Sequence, residues 1–358
     1  MSRRILALNP WHGGSHRAFL DGWIRHSRHE FTVLSLPPTK WKWRMRHAAV
    51  TFSRQLPEPQ AYDVVFCTDM LNLAEFLGLC SAEFRRLPVV IYFHENQLTY
   101  PTQQEEERDL HFAYSNLTTA LAADAVWFNS AFHRQEFLSA LPPFLRRMPD
   151  HPHLDAVSGI ETKSAIQSPG IDPPRPREMI RRPGPIRLLW TSRWEHDKQP
   201  ELFFAALRQL LEDGVDFRLS VLGESFRNSP SCFAEAKGWL AERIDHWGFA
   251  TDRSEYLRVL GDSDVIVSTA GHEFFGIAVV EAVAAGCVPL VPDALAYPET
   301  LGSDSRWFHD GTPAGIARAI RRQAVDGVTL PDVSRYFWRQ RAAEMDDAME
   351  EVREVHGI

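Results

Sequence analysis

In the last quarter of the chain, His272-Glu273-Phe274-Phe275-Gly276 runs into Ile277-Ala278-Val279-Val280-Glu281. Two carboxylates thus flank the start of a helix that is apolar on most sides. A carboxylate in such a helix is costly unless hydrogen-bonded. Glu281 therefore either lies on the helix's one wet edge or accepts hydroxyls from a ligand, as acidic residues do from a ribose. Glu273 stands in the turn before the helix, where an acid also suits the helix dipole. Phe275, Gly276 and Ile277 place backbone N–H groups at the helix start, and Gly276 allows a ligand to come close. A terminus of this kind takes a phosphate or a polarised sugar hydroxyl without a metal. The matching cations are Arg193 and Lys198 in Trp190-Thr191-Ser192-Arg193-Trp194-Glu195-His196-Asp197-Lys198, just after an apolar strand. They are either an ordinary surface pair or fixed charges that stabilise a departing diphosphate.

Three segments of the first half carry further chemistry. Asn9-Pro10-Trp11-His12-Gly13-Gly14-Ser15-His16 follows the first apolar run, and the paired Gly13 and Gly14 admit a phosphate. The segment is not the Gly-x-Gly-x-x-Gly fingerprint, and no phosphate-loop Lys-Ser/Thr signature occurs. Tyr92-Phe93-His94-Glu95-Asn96-Gln97 ends a buried strand in four polar groups, which reads as a site. Thr39-Lys40-Trp41-Lys42-Trp43-Arg44-Met45-Arg46-His47 interleaves cations with indoles. That segment is either a solvated helix start with both indoles packed inward or a platform for an acceptor, with phosphate contacts and ring stacking. His12 and His16 lack the Glu-x-x-His context of a zinc site, so no metal is expected. No nucleophile elbow is present.

These segments need sheets to position them. Ile5–Leu8, Phe31–Leu36, Val64–Cys67, Val89–Phe93, Ala125–Asn129 and Ser164–Gln167 read as strands, joined by lengths that suit helical crossovers. A stretch from Ser168 to Pro185 with six prolines interrupts the pattern. It then restarts with strands at Ile186–Trp190, Phe217–Leu222, Ile244–Phe249, Val265–Ser268 and Val288–Val291. Helices are expected over 199–212, 231–242, 253–261 and 276–285, the last closed by Gly286. The expected division is a domain over 1–170, a linker over 171–185, a second domain over 186–331, and a terminal helix over 332–358. Doubly wound domains bind ligands beyond the C-terminal ends of their strands.

The 358 residues suit two such domains, and the formal charge of −8 excludes a bulk basic protein. Residues 1–60 nevertheless hold ten Arg and Lys against three Asp and Glu. Cys67, Cys80, Cys232 and Cys287 are too scattered for a zinc or disulfide framework. No apolar run suits a signal peptide or a membrane span, so the expected compartment is cytoplasmic. The oligomeric state is not legible.

The Glu273-x7-Glu281 pair resembles the signature of the retaining GT-B glycosyltransferases that include the sucrose- and glycogen-type synthases. The resemblance implies an α/β fold of two Rossmann-like domains facing across a deep cleft. It implies that Glu273 contacts the donor sugar, Glu281 the ribose, and Arg193 with Lys198 the diphosphate, while Gly13 and Gly14 close over it and the helix over 332–358 crosses back to the first domain. A closer resemblance is to the glycosyltransferase-like domain-containing family associated with mannosylation of queuosine in tRNA. It is carried by Gly13-Gly14-Ser15-His16, Lys40-Trp41-Lys42-Trp43-Arg44, Tyr92-Phe93-His94-Glu95-Asn96-Gln97-Leu98, Trp127-Phe128-Asn129-Ser130, Arg193-Trp194-Glu195-His196-Asp197-Lys198 and Gly271-His272-Glu273-Phe274-Phe275-Gly276. This resemblance implies GDP-mannose as donor, no metal, and the cyclopentene-diol of queuosine at the wobble position of tRNA-Asp as acceptor. His16, Lys40, Trp41, Lys42, Trp43, Arg44, Glu95, Asn96 and Gln97 then face the acceptor, and Glu273, His94, Arg193 and Lys198 the reacting sugar. The open alternative is another nucleotide-sugar with a lipid, polysaccharide or small-molecule acceptor. An epimerase needs an acid/base pair that the sequence does not place, and the intact acids and cations speak against a binding protein without catalysis.

Overall fold

Parallel strands need a crossover of a dozen or more residues, so apolar runs that alternate with long mixed segments build parallel sheets. The computed structural model describes residues 2–101, 109–173, 184–325 and 330–352. It contains two such sheets, one in each of two units. Unit 1 comprises Met1–Asp172 with Tyr336–Ile358, and unit 2 comprises Pro173–Arg335. Most of the expected linker, residues 174–183, lies outside the described residues, as do 353–358 of the expected last helix.

In unit 1 the strands are β1 (Arg4–Asn9), β2 (Glu30–Ser35), β3 (Val64–Thr68), β4 (Val89–Phe93), β5 (Ala125–Phe128) and β6 (Ser164–Ile166). They lie in the order β2-β1-β3-β4-β5-β6, every pair parallel. The helices between them are α1 (Gly14–His26), α2 (Trp41–Ser53), α3 (Leu73–Leu79), α4 (Leu110–Ala122), α5 (Ala131–Leu145) and α6 (Asp155–Thr162). Unit 2 has β7 (Ile186–Thr191), β8 (Phe217–Leu222), β9 (Ile244–Gly248), β10 (Val265–Val267), β11 (Val288–Pro292) and β12 (Phe308–His309). Their order is β12-β11-β10-β7-β8-β9, again all parallel. Its helices are α7 (Pro200–Glu212), α8 (Cys232–Trp239), α9 (Arg253–Asp262), α10 (Ile277–Ala284), α11 (Tyr297–Leu301) and α12 (Pro313–Val325). A last helix, α13 (Trp338–Glu351), belongs to unit 1.

The strand order reverses between β1 and β3 in unit 1 and between β7 and β10 in unit 2. Neighbouring crossovers leave the sheet on opposite faces there, which opens a crevice at the strand ends. The loops at these points are residues 10–13 and 69–72 in unit 1, and 192–199 and 268–276 in unit 2.

β3 and β4 are buried along their whole length, as central strands covered on both faces must be. On one face of the unit 1 sheet, Trp338, Ala342, Met345 and Met349 of α13 pack with Phe19, Trp23, Phe66 and Trp127. The approach is close enough to require glycine. A Cβ on either Gly22 or Gly170 would lie 2.3 Å from the Trp338 indole. Buried Asp346 accepts hydrogen bonds from Trp23 Nε1 at 2.8 Å, Ser27 Oγ at 2.7 Å and the Arg28 backbone N–H at 2.8 Å. A carboxylate so fully satisfied ties α13 to α1 instead of destabilising the core.

Two departures from the sequence reading have local causes. The expected strand Ile244–Phe249 stops at Gly248, whose φ is +118°, and Phe249 beyond it is 70% exposed. β12 has two residues and was not expected, because so short a run carries no period. α10 closes as expected on Gly286, at φ +101°, where Gly286 N–H donates to Val283 O and Cys287 N–H to Ala282 O.

Candidate functional site

Lys198 organises the switch-point edge of unit 2. It follows β7 through a short turn, His196–Lys198, and its side chain is 9% exposed. Nζ donates to the carbonyl of His272 at 2.7 Å and lies 3.1 Å from Asp197 Oδ2 and 3.5 Å from Glu273 Oε2. Burial works against the ammonium, but the carboxylates of Glu273 and Asp197 outweigh it and hold Lys198 above its ordinary range. Burial likewise pushes the Glu273 carboxyl up. Lys198, His272 and the backbone N–H groups of Phe275 and Gly276 outweigh that push and hold it below its ordinary range. The N–H groups of Phe275 and Gly276 therefore point at the Glu273 carboxylate in the turn just before α10. Gly276 is at φ +83°, and a Cβ there would lie 2.8 Å from Tyr297. Ile277 is the first helical residue.

Arg193, in the loop between β7 and the turn, is half exposed and lies 3.2 Å from Glu195. Its charge is felt at both Lys198 and His272, so the two expected cations share one edge. Glu281, one turn inside α10, has a side chain only 13% exposed. Tyr256 of α9 donates its hydroxyl to Glu281 Oε2 at 2.8 Å, and Arg253 Nη2 donates to Oε1. Neither α9 residue stands out in the sequence. Their spacing puts them on one helix face, but nothing in the sequence pairs α9 with α10.

His272 packs edge-on against Phe274, with ring centroids 4.4 Å apart. Burial first, and then the Lys198 charge, push its imidazole down to about 4. An imidazole that stays neutral when folded but titrates near 6.5 when unfolded contributes stability that is complete above about pH 6.5. That contribution is lost as pH falls through about 4, the folded value. The urea midpoint should therefore fall less steeply between about pH 7 and about pH 4.5 in His272→Gln than in the parent protein. Equal slopes would count against the assignment.

On the unit 1 edge, Gly14 is at φ +53° with nothing within 4 Å of an added Cβ, whereas one on Gly13 would lie 2.3 Å from Pro38. That contact, with His12 N–H donating to Leu36 O at 2.9 Å, sets the approach to α2 beside the glycine turn. His16 is buried and packs at a tilt against His94, ring centroids 3.9 Å apart. Burial and the neighbouring His16 and His133 hold His94 well below its ordinary range. Its Nε2 is buried and has no hydrogen-bond partner among the described residues. The backbone of His94 is clamped on both sides. Its N–H donates to Asp69 Oδ1 at 3.0 Å, and its carbonyl accepts from Asn129 Nδ2 at 2.9 Å. One lone pair of that carbonyl remains for a ligand. Asp69 is itself buried, and burial with the nearby Glu95 pushes its carboxyl well up. Asn129 lies in a stretch that carries the family resemblance but has no role assigned there, and Asp69 carries no signal beyond being a polar residue at a strand end.

The remaining expected acceptor residues divide. Asn96 is fully buried and its amide oxygen accepts from the N–H groups of Leu98 and Thr99, both at 3.0 Å, so it holds the turn. Gln97 N–H donates to Asn116 Oδ1 at 2.7 Å, and Gln97 Nε2 lies 3.5 Å from Glu95 Oε1. In α2 the two indoles part company. Trp41 packs inward against Phe112, centroids 5.2 Å apart, whereas Trp43 is 59% exposed and stacks on His47 at 4.9 Å. Arg44 is engaged with Pro37 O at 2.9 Å and His47 Nε2 at 2.6 Å, which braces the turn before α2. Lys40 and Lys42 are exposed. Among the described residues, no helix is long and apolar enough to cross a membrane.

Comparison with known proteins gives this geometry a context. Residues 4–171 match the tRNA-queuosine alpha-mannosyltransferase N-terminal family, and residues 176–331 match glycosyl transferases group 1. The tRNA-queuosine alpha-mannosyltransferase of Drosophila melanogaster is 36% identical over 348 residues, covering 94% of this chain and 89% of the relative. A GDP-mannose-dependent alpha-(1-6)-phosphatidylinositol dimannoside mannosyltransferase of Mycobacterium tuberculosis is 27% identical over 236 residues, covering 65% of this chain and 56% of that protein. Among solved structures, sucrose-phosphate synthase from Thermosynechococcus elongatus aligns with a TM-score of 0.69 at 15% identity, over 98% of this chain and 99% of that one. The fold is thus the pair of Rossmann-like domains typical of GT-B enzymes, and the chain is a glycosyltransferase that uses a nucleotide-sugar. With a relative of this identity along nearly its whole length, the chain belongs to the tRNA-queuosine alpha-mannosyltransferase family.

Proposed function

We propose that this enzyme moves mannose from GDP-mannose to the queuosine base at the wobble position of tRNA-Asp, with retention of configuration and without a metal. The observation that carries the chemistry is the buried Lys198 beside Glu273 at the start of α10, with Arg193 on the same edge. In this reading Arg193 and Lys198 hold the diphosphate, Glu273, fixed by the N–H groups of Phe275 and Gly276, holds the sugar, the Ile277 N–H at the helix start meets its phosphate, and Glu281 holds the ribose. The bond from the sugar's anomeric carbon to the phosphate oxygen breaks with its electron pair passing to the diphosphate. The fixed cations stabilise the charge that grows there. An acceptor hydroxyl attacks the oxocarbenium-like sugar from the same face, and its proton passes to the departing phosphate oxygen. His94, with a buried ring nitrogen and one carbonyl lone pair to offer, orients the sugar, and Gly13 and Gly14 lie against the diphosphate.

The acceptor half of the reading draws on the Drosophila relative's name and on α2. The exposed Trp43 offers an indole face to a base of an anticodon loop, and Lys40 and Lys42 offer charge to its phosphates. Trp41 and Arg44 support that surface from behind, and His16, Glu95, Asn96 and Gln97 shape the adjoining turn. The test is sugar incorporation from GDP-mannose or UDP-glucose, with queuosine-containing tRNA, tRNA lacking queuosine, or vesicles containing phosphatidylinositol dimannoside. Incorporation only from GDP-mannose into the queuosine-containing tRNA is expected. Transfer only to the vesicles, the outcome that the mycobacterial relative's name favours, would overturn the acceptor.

A further inference from the structure

We infer that Arg253 and Tyr256 are positioning residues that fix the Glu281 carboxylate in the orientation a vicinal ribose diol requires. The inference rests on the ribose reading of Glu281 given above. Glutamate has three rotatable side-chain bonds, and a ligand that must first order them loses affinity. Here they are ordered in advance by groups from two other elements. Tyr256 O–H donates to Oε2 at 2.8 Å, and the same hydroxyl meets the side chain of Thr191 at the end of β7. Arg253 donates to Oε1, and its guanidinium lies 5.0 Å from the centroid of the Tyr256 ring. Positions 253 and 256 share a face of α9, and the helix start is itself held by Asp252 Oδ1, which accepts from Glu255 N–H at 2.9 Å.

The count of acceptor sites favours a diol. A carboxylate oxygen has two lone pairs. Tyr256 and Arg253 take one from each oxygen, which leaves one on each for two O–H donors. A counter-ion that served only to neutralise a buried acid would not need to divide its partners between the two oxygens. Nor would it need a tyrosine hydroxyl that is itself oriented by Thr191.

The experiment is calorimetric binding of GDP and of 2′,3′-dideoxy-GDP, with the UDP pair in parallel, to the parent protein, Glu281→Ala, Tyr256→Phe and Arg253→Gln. The parent should bind the diol-bearing nucleotide about tenfold or more tightly than its dideoxy form. In Glu281→Ala the ratio should fall to about one. In Tyr256→Phe and Arg253→Gln it should shrink to about threefold or less, with dideoxy affinity unchanged within about twofold. Arg253→Lys should restore part of the ratio. A purely structural role predicts that both affinities fall together and the ratio stays, and that result overturns the inference while leaving the ribose reading in place. A parent ratio near one overturns the ribose reading and, with it, this inference. Thermal midpoints separate loss of fold from loss of orientation. Should Arg253→Gln unfold, Tyr256→Phe, which removes a single oxygen, decides alone.

Discussion

Replacing Lys198 with methionine is expected to lower kcat for sugar transfer by about 10²- to 10³-fold, the loss typical when one fixed donor to a developing anion is removed. The same change should destabilise the fold. The Lys198 side chain is 9% exposed and faces Asp197 and Glu273, so its loss leaves two largely buried carboxylates without their cation. Breaking a buried pair from one side costs about 3–5 kcal/mol. Rate and stability can be separated by pairing the change with Glu273→Gln, which removes one of the stranded charges. Urea unfolding of the double variant should recover much of the lost stability, whereas steady-state transfer at saturating GDP-mannose should stay at the level of the single variant or below. A Lys198→Met enzyme within about tenfold of the parent in kcat would remove Lys198 from the diphosphate.

Glu273→Gln alone is the second large effect, with an expected loss of about 10²-fold in transfer. The amide keeps the volume of the carboxylate, but it has only one acceptor oxygen and no charge with which to match Lys198 or the N–H groups of Phe275 and Gly276. Its pH signature follows from the two opposed shifts. Glu273 is held below its ordinary range, so its contribution to stability is present above about pH 4.3 and is lost as pH falls through the folded value. Lys198 is held above its range, so its contribution is present below about pH 10.4 and is lost as pH rises through the folded value. The pair thus stabilises the fold between those limits, and Glu273→Gln should flatten the acid limb of the unfolding midpoint plotted against pH. Transfer at more than about half the parent rate would exclude Glu273 from the reacting sugar.

The strands were legible because a short apolar run closed by a polar or small residue is too short for a buried helix and too apolar for a surface loop. Val64–Thr68, Val89–Phe93 and Phe217–Leu222 stand where the pattern put them, to within a residue. The candidate residues were legible for the same reason, since Lys198, Glu273 and His94 all lie in the loops that follow such runs. What could not be read was which side chains meet across elements. A period gives the face of a helix but not the neighbour that the face will find. Trp41 and Trp43 look alike in sequence, yet one packs on Phe112 and the other is mostly exposed. Asn96 stands in the expected acceptor segment, and its hold on the turn was not legible, because an amide at that offset reaches the next N–H groups in its own loop. Arg253 and Tyr256 carried no signal, because their significance lies in Glu281, which is remote in sequence.

The return of α13 to unit 1 has a consequence for biosynthesis. Unit 2, Pro173–Arg335, is one uninterrupted stretch, whereas unit 1 is assembled from two stretches on either side of it. A nascent chain leaving the ribosome can complete the second unit while the first still lacks the helix that brings Trp338, Met345 and Met349 against Trp23 and Trp127. At typical elongation rates that interval is on the order of ten seconds, during which those indoles are only partly covered. The parallel bridge between Ile171 and Phe337 joins the outgoing and returning strands of the chain, so the first unit to be translated is the last to close.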